Sequence, residues 1–137
     1  MNSAGKCGKL GVMDIDVSDF SPLQQRVLLD LYVLALEADG HLPAANDARF
    51  DGLFKSLGFN TDVERQREFE AAAARMKPHA RSVQQARAQL IALCEAFTTR
   101  AQHKKVYTAM QEIFTGDAHV SNAEIQLLSE LRLRFRL

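Results

Sequence analysis

A chain of 137 residues, 47% of them hydrophobic and 25% charged, has the length and composition of a single globular domain. Its 17 basic and 17 acidic side chains cancel, which argues against a general nucleic-acid or anionic-membrane binder. Two cysteines make no disulfide framework and fit a reducing compartment, and no N-terminal apolar run is long enough for a signal peptide. We therefore expect a cytoplasmic protein.

Residues 1–20 are predicted to be a flexible N-terminal segment ahead of a folded domain at residues 21–137. The segment contains three glycines, but no strand or helix frames them and no Gly-Lys-Ser/Thr follows, so they do not form a phosphate-binding loop. Its second half alternates aspartates with Ile15, Val17 and Phe20. We expect these three apolar side chains to pack onto the domain where the chain enters it.

The stretch Val27–Leu42, VLLDLYVLALEADGHL, predicts the central helix of the domain. A helix that is apolar on almost every face is normally surrounded by other helices. A membrane span needs about 20 apolar residues, whereas Asp30 and Glu37 interrupt this stretch, so we expect no membrane span. Because Gly40 is suited to closing a helix, the first helix is predicted at about Pro22–Ala38.

Four further segments follow with helical patterns. The second helix is predicted at Ala44–Leu57, where phenylalanines and leucines recur at helical spacing. The third, at about residues 61–77, is mostly charged and is expected on the outside. The fourth is Ser82–Phe97, with one apolar stripe, and the fifth begins at Thr99 and ends at a second acidic turn.

The last helix follows that turn, with Ile125, Leu128, Leu131 and Phe135 predicted to face inward. Residues 131–137 alternate apolar residues with arginines, which is a strand pattern that competes with helix continuation. Because no other strand is available for pairing, we predict that the helix continues.

Capping boxes mark the starts of four of these helices. In such a box a Ser or Thr side chain caps the backbone three positions on, and a Glu or Gln there caps the Ser or Thr backbone in return. The pairs are Ser21 with Gln24, Thr61 with Glu64, Thr99 with Gln102, and Ser121 with Glu124. Since every patterned segment is helical and the loops are short, we predict an all-α, single-domain bundle of six to seven helices.

The run Val106–Val120 repeats the plan of the first turn: apolar helix, aspartate, small residue, histidine, apolar residue. Asp39 corresponds to Asp117 and His41 to His119, each pair 78 positions apart (117 − 39 and 119 − 41). A new helix start follows both copies. We therefore predict two pseudo-repeated helical hairpins.

These two turns are where chemistry is expected. Asp39 and Asp117 each follow a helix, near carbonyl groups that the helix end leaves unpaired. Carboxylates and carbonyls are the oxygen ligands that Ca²⁺ and Mg²⁺ prefer. An EF-hand is excluded, because its twelfth position is Phe50 for the first turn and Leu128 for the second. Ordinary turn and capping chemistry is the alternative explanation for Asp39 and for Glu124.

The string Ala38–Leu42, A-D-G-x-apolar after an apolar helix, resembles the signature of the TerB-like (tellurite-resistance TerB) family. That signature continues Ser-x-x-Glu, and a related turn recurs near the C-terminus of these proteins. The second copy here, Asp117–Glu124, keeps the Asp, Ser and Glu but has Ala118 in place of Gly. The first copy has Pro43 in place of Ser and Asn46 in place of Glu.

The resemblance implies an all-helical domain of two similar halves, linked to tellurite and other stress responses and to divalent-metal binding through acidic residues. Carried over position by position, the metal ligands are Asp39, Asp117 and Glu124. The fourth acidic position of the family is Asn46 here, which offers an oxygen without a charge, so the affinity for a divalent ion is expected to fall.

We expect no enzymatic activity, because no Ser, Cys or Thr has a recognisable base partner and the Glu-x-x-His motif of helical di-iron sites is missing. The alternative to a cation site is a metal-free protein-interaction or oligomerisation module. It is suggested by the neutral Asn46 and by the apolar, arginine-edged C-terminus. The sequence does not specify whether the partner is another protein or a second copy.

Overall fold

The computed structural model describes residues 15–38, 44–115 and 122–137, and all regular elements in these ranges are helical. The prediction of an all-α bundle is therefore confirmed for this part of the chain. In chain order the α-helices are α1 (Pro22–Ala38), α2 (Asp51–Ser56), α3 (Asp62–Met76), α4 (Val83–Cys94), α5 (Arg100–Thr115) and α6 (Asn122–Phe135). Two 3₁₀ turns, Ala48–Phe50 and Lys77–His79, precede α2 and follow α3.

Helix α1 is the centre of the bundle, as its sequence predicts. Every residue from Val27 to Leu36 is buried. Helices α3, α4 and α5 pack around it, and α6 closes the bundle by packing on α4 and α5. None of the helices in the described ranges is long and apolar enough to cross a membrane.

The capping boxes set the helix starts where the sequence places them. At α3 the Thr61 hydroxyl accepts from the backbone of Glu64, and the Glu64 carboxylate accepts from the backbone of Thr61. The boxes of α1 and α5 also form, through Gln24 and Gln102. The predicted box at the start of α6 includes Ser121, which lies outside the described residues.

The second helix is shorter than predicted. Instead of a continuous helix over Ala44–Leu57, the Asp47 side chain accepts a hydrogen bond from the backbone of Arg49 and starts a 3₁₀ turn. The α-helix begins only at Asp51. An Asx cap of this kind competes with helix, because it satisfies the backbone donor in a non-helical conformation. The helix ends at Ser56, and Gly58, two residues further on, has a φ of 84°.

The chain packs onto the bundle from Ile15 onward, as expected for its apolar residues. Ile15 and Phe20 are buried, and the Phe20 ring lies 5.5 Å from that of Phe97. The backbone N–H of Ile15 donates to Ser56 Oγ at 3.2 Å. Residues 1–14, which include most of the predicted flexible segment, lie outside the described residues.

Helix α6 continues to Phe135, so residues 131–135 are helical, not extended. Its buried face differs from the prediction, however. Ile125 is 50% exposed and Leu127 is buried in its place, together with Leu131 and Phe135. The adjacent Leu127 and Leu128 allow two apolar stripes on one helix. The stripe that faces α4 and α5 is the one formed by Leu127, Leu131 and Phe135.

Candidate functional site

A reciprocal pair of side-chain amides holds the starts of α1 and α5 together. Gln24 Nε2 donates to Gln102 Oε1 at 3.2 Å, and Gln102 Nε2 donates to Gln24 Oε1 at 3.1 Å. The same amides also donate to the carbonyls of Ala96 and Asp19, at 2.8 and 2.7 Å. We call this pair of glutamines, Gln24 and Gln102, the amide clasp. Because Gln102 is only 4% exposed, the clasp is a buried polar network, and both side-chain amide groups donate hydrogen bonds in it.

The two helices also approach each other beyond the clasp. Burial raises the pKa of the Tyr32 hydroxyl, and the negative charge of Glu112 on α5 raises it further. From the clasp, each helix runs about 20 Å at about 1.5 Å per residue before it ends, α1 at Ala38 and α5 at Thr115. The two helices therefore run side by side in one direction and finish at the same end of the bundle.

The predicted metal ligands are only partly covered by the structure. Asp39 and Asp117 lie outside the described residues. Glu124 is in the first turn of α6 and is 1% exposed. Within residues 15–38, 44–115 and 122–137, no three His, Cys, Asp or Glu side chains come together as a metal cluster. A complete site in this domain would therefore have to draw on the turns.

Glu37, in the last turn of α1, is the acidic side chain that the structure makes conspicuous. Its Oε1 is buried and has no hydrogen-bond partner among the described residues. Burial raises the pKa of this carboxyl, and the nearby Lys77 charge lowers it only in part. The sequence signal was that Glu37 is an isolated charge at the end of an apolar helix, two residues before Asp39.

Asp30 is also a buried carboxylate of α1, but unlike Glu37 it is hydrogen-bonded to a basic side chain. Arg75 on α3 donates to it through Nη2 at 2.7 Å and through Nε at 3.1 Å. Burial raises the pKa of Asp30, against the lowering effect of Arg75 and Arg26. Because its oxygens are already used by a guanidinium, Asp30 holds α1 to α3 and is not a cation ligand.

Asn46, which stands at the fourth acidic position of the resemblance, is exposed at a groove of about 670 Å³ beside α3. We call this the acidic groove. Its lining in the described residues is Ala44, Ala45, Asn46, Asp51, Asp62, Arg65, Gln66, Phe69 and Glu70. Three carboxylates and one guanidinium give it a net negative charge.

Two other titratable side chains, those of His103 and Cys94, have structural roles. The His103 ring stacks on Phe135 at 4.2 Å and its Nε2 donates to the carbonyl of Phe97 at 2.8 Å, which ties α5 to α6. Cys94 is a buried thiol whose pKa is raised to about 12 by burial, so it is inert as a nucleophile. His41 and His119 lie outside the described residues.

Comparison of the chain with protein-family models, curated proteins and solved structures finds no match. The TerB-like resemblance therefore depends on the sequence of the two turns. The amide clasp adds an observation of its own. Its partners Gln24 and Gln102 are 78 positions apart (102 − 24), the same offset that relates Asp39 to Asp117.

Proposed function

We propose that this chain is a non-enzymatic, TerB-like helical domain that binds a divalent cation at the two acidic turns. Asp39, Asp117 and Glu124 are the ligands carried over from the resemblance. The observation that carries the proposal is the buried oxygen of Glu37, which has no hydrogen-bond partner. A stress-response role, including tellurite resistance, belongs to the same proposal and has no further support.

An orphaned carboxylate oxygen needs a reason, because leaving such a group unsatisfied costs about 1–3 kcal/mol. Lys77 is near enough to act on Glu37 electrostatically, but it forms no hydrogen bond with Oε1. A divalent cation supplies the missing interaction. Asp39, which follows α1 in the sequence, and the last carbonyls of α1, which have no partner within the helix, are further oxygen ligands of the same kind.

The parallel course of α1 and α5 supports the pairing of the two turns. Both helices start at the amide clasp and finish at the same end, so the chain leaves both at that end. The equal offset of the clasp residues and the turn aspartates supports the pseudo-repeat. An all-oxygen ligand set favours Ca²⁺ or Mg²⁺ over the transition metals. With Asn46 neutral, we expect weak binding.

Calorimetry and thermal melting with Ca²⁺, Mg²⁺ and Zn²⁺ test this proposal. A cation at 100 times its dissociation constant raises the free energy of unfolding by about 2.7 kcal/mol. We expect heat and a melting shift with Ca²⁺ or Mg²⁺, and weaker binding for Asp39→Asn and Asp117→Asn. If millimolar concentrations of all three cations give neither heat nor a shift, the proposal is rejected.

Glu37→Gln provides the sharpest variant, because its two expected effects have opposite signs. Without cation it stabilises the fold by about 0.5–1 kcal/mol, since it removes a partly buried charge that lacks a hydrogen bond. With saturating cation it loses most of the stabilisation that the wild type gains. Glu95→Gln, at an exposed position, is the matched control and changes neither quantity. An unaltered cation response in Glu37→Gln would contradict a role for Glu37.

A second function, a metal-free interaction or oligomerisation module, is favoured by a separate observation. Leu133 is 74% exposed on α6 and lies among arginines. A single exposed leucine is common on protein surfaces, so it is the combination of Leu133 with the surrounding arginines that suggests a contact site. This surface does not involve the end of the bundle where α1 and α5 finish, so the two functions can be tested separately.

A further inference from the structure

The outward side of α6 carries one apolar residue within a strongly basic surface. Leu131 and Phe135 are buried, and at 100° per residue Leu133 points directly away from them. Arg132 and Arg134 flank Leu133 on either side. We call Arg132, Leu133, Arg134 and Arg136 the basic face.

The charges of the basic face have no acidic partner among the described residues. Residues 132–137 contain three arginines and no acidic residue. In the described part of the chain none of these arginines forms an ion pair. Arg132 donates through Nε to the carbonyl of Leu137 at 3.0 Å, which leaves the terminal nitrogens of its guanidinium available.

The acidic groove beside α3 is complementary to this face. Across the described residues, Asp62 and Glu70 form no ion pair, whereas Asp51 lies 3.7 Å from Arg65. The apolar part of the lining is Ala44, which is exposed, Ala45, which is half-buried, and Phe69, which is 7% exposed. The groove therefore offers a small apolar surface for a leucine and carboxylates for two guanidinium groups.

We propose that the basic face of one molecule docks into the acidic groove of a second copy of this chain. Leu133 would contact the apolar lining near Phe69, with Arg132 and Arg134 paired to Asp62 and Glu70. This inference rests on the second proposed function and names its partner. It is independent of cation binding.

Charge distribution favours a second copy over an unrelated acidic partner. The chain has no net charge, yet it separates a purely basic C-terminal turn from an acidic groove on a different helix. No ion pair between described residues joins the two within one molecule. Proteins with net charge near zero associate readily, and opposite patches steer them into register.

Such an interface is heterologous, because the two molecules contribute different surfaces. After the first contact one molecule still has an unused groove and the other an unused basic face, so association continues into open chains or rings. The contact is small and largely charged, so we expect it to be weak and to weaken as added salt shortens the screening length.

Sedimentation velocity in EDTA, over a range of protein and salt concentrations, tests the docking without interference from cations. We expect species beyond the dimer at low salt and monomer at high salt. Arg132→Glu with Arg134→Glu should weaken association by about tenfold or more, and Leu133→Asp should do the same. The matched controls are Arg81→Glu and Leu23→Asp, which change exposed residues elsewhere and should leave association unaltered.

Mixing two defective variants separates this interface from a symmetric one. A face-defective chain (Arg132→Glu, Arg134→Glu) and a groove-defective chain (Asp62→Asn, Glu70→Gln) should each be monomeric alone. Mixed, they should form a one-to-one dimer that grows no further, because one intact face still meets one intact groove. Far-UV circular dichroism of each variant checks that the fold is retained.

Several results would overturn the docking. If the wild type stays monomeric at low salt, the second copy is not the partner, and binding of the chain to polyglutamate or to phosphatidylserine vesicles would then identify an acidic protein or membrane as the occupant. If the wild type associates but the face and groove variants associate equally well, an oligomerisation module remains and this interface is wrong. Failure of the mixture to form a dimer also rejects it.

Discussion

Two carboxylates on α1 show how the surroundings of a residue decide what it does. Asp30 and Glu37 are both carboxylates of one apolar helix with a buried oxygen, and burial raises the pKa of both. Asp30 accepts two hydrogen bonds from the guanidinium group of Arg75 and so links α1 to α3. In the described part of the chain one oxygen of Glu37 has no hydrogen-bond partner, which is why the proposed cation site includes it.

Removing Arg75 should therefore cost much more than neutralising Asp30. Arg75→Met leaves a buried carboxylate without its cation, for an expected loss of about 2–4 kcal/mol. Asp30→Asn keeps an acceptor for a partly exposed Arg75 and should cost about 1 kcal/mol. Urea unfolding at pH 7 measures both, and equal losses would contradict this account.

The same variant predicts a pH dependence. Without Arg75, the pKa of Asp30 in the folded state rises further above its ordinary value of 3.8. A carboxyl group whose pKa is higher in the folded state than in the unfolded state stabilises the fold when it is protonated. This stability is fully present below the pKa of the unfolded state and is lost as the pH rises through the pKa of the folded state. The deficit of Arg75→Met relative to wild type should therefore be smaller at pH 4 than at pH 7. A deficit that does not change with pH would indicate lost packing alone.

At the scale of elements, α2 and α6 end with the same hydrogen-bond pattern on different residues. The Phe59 N–H donates to the carbonyl of Phe54, and the Leu137 N–H donates to that of Arg132. Each pattern needs a residue in the left-handed region, which is Gly58 (φ 84°) in one case and Arg136 (φ 57°) in the other.

Substitutions at these two positions should have opposite effects. A Cβ at Gly58 meets nothing within 4 Å, so Gly58→Ala tests backbone strain alone and should destabilise by about 1 kcal/mol. Arg136→Gly relieves the same strain and should stabilise by about 0.5 kcal/mol. Chemical unfolding at neutral pH measures both. Changes of the same sign would show that side-chain contacts dominate instead.

Most helix starts could be predicted from the sequence, because a capping box involves only four consecutive residues. The buried faces of the helices depend on contacts between helices and were predicted less well. Ile125 was predicted to face inward but is 50% exposed, because no helix of the described residues covers that face of α6. In the candidate site, the unpartnered oxygen of Glu37 could not be foreseen, since it depends on what faces the end of α1. Gln24 and Gln102 were predicted as caps, but not as partners of each other.

On the scale of the whole molecule, the amide clasp joins the two halves of the bundle. It links residues far apart in sequence, fixes the start of both long helices and brings in the carbonyls of Asp19 and Ala96. Polar networks of this kind are stabilising when every member has a partner and costly when one is removed.

A double-mutant cycle on Gln24→Ala and Gln102→Ala should give a coupling energy of about 1 kcal/mol or more. The exposed pair Gln66 and Glu70, whose side chains are 2.7 Å apart within α3, is the matched comparison. It should couple by only about 0.2–0.5 kcal/mol. Additive effects at Gln24 and Gln102 would mean that each glutamine acts only as a cap of its own helix.

Because the amide clasp holds the starts of α1 and α5 together, it also influences where their far ends lie. Over a length of about 20 Å, a change of about 5° in the angle between the two helix axes displaces a helix end by about 2 Å. Side-chain amides do not titrate, so the angle that the clasp helps to set should be insensitive to pH.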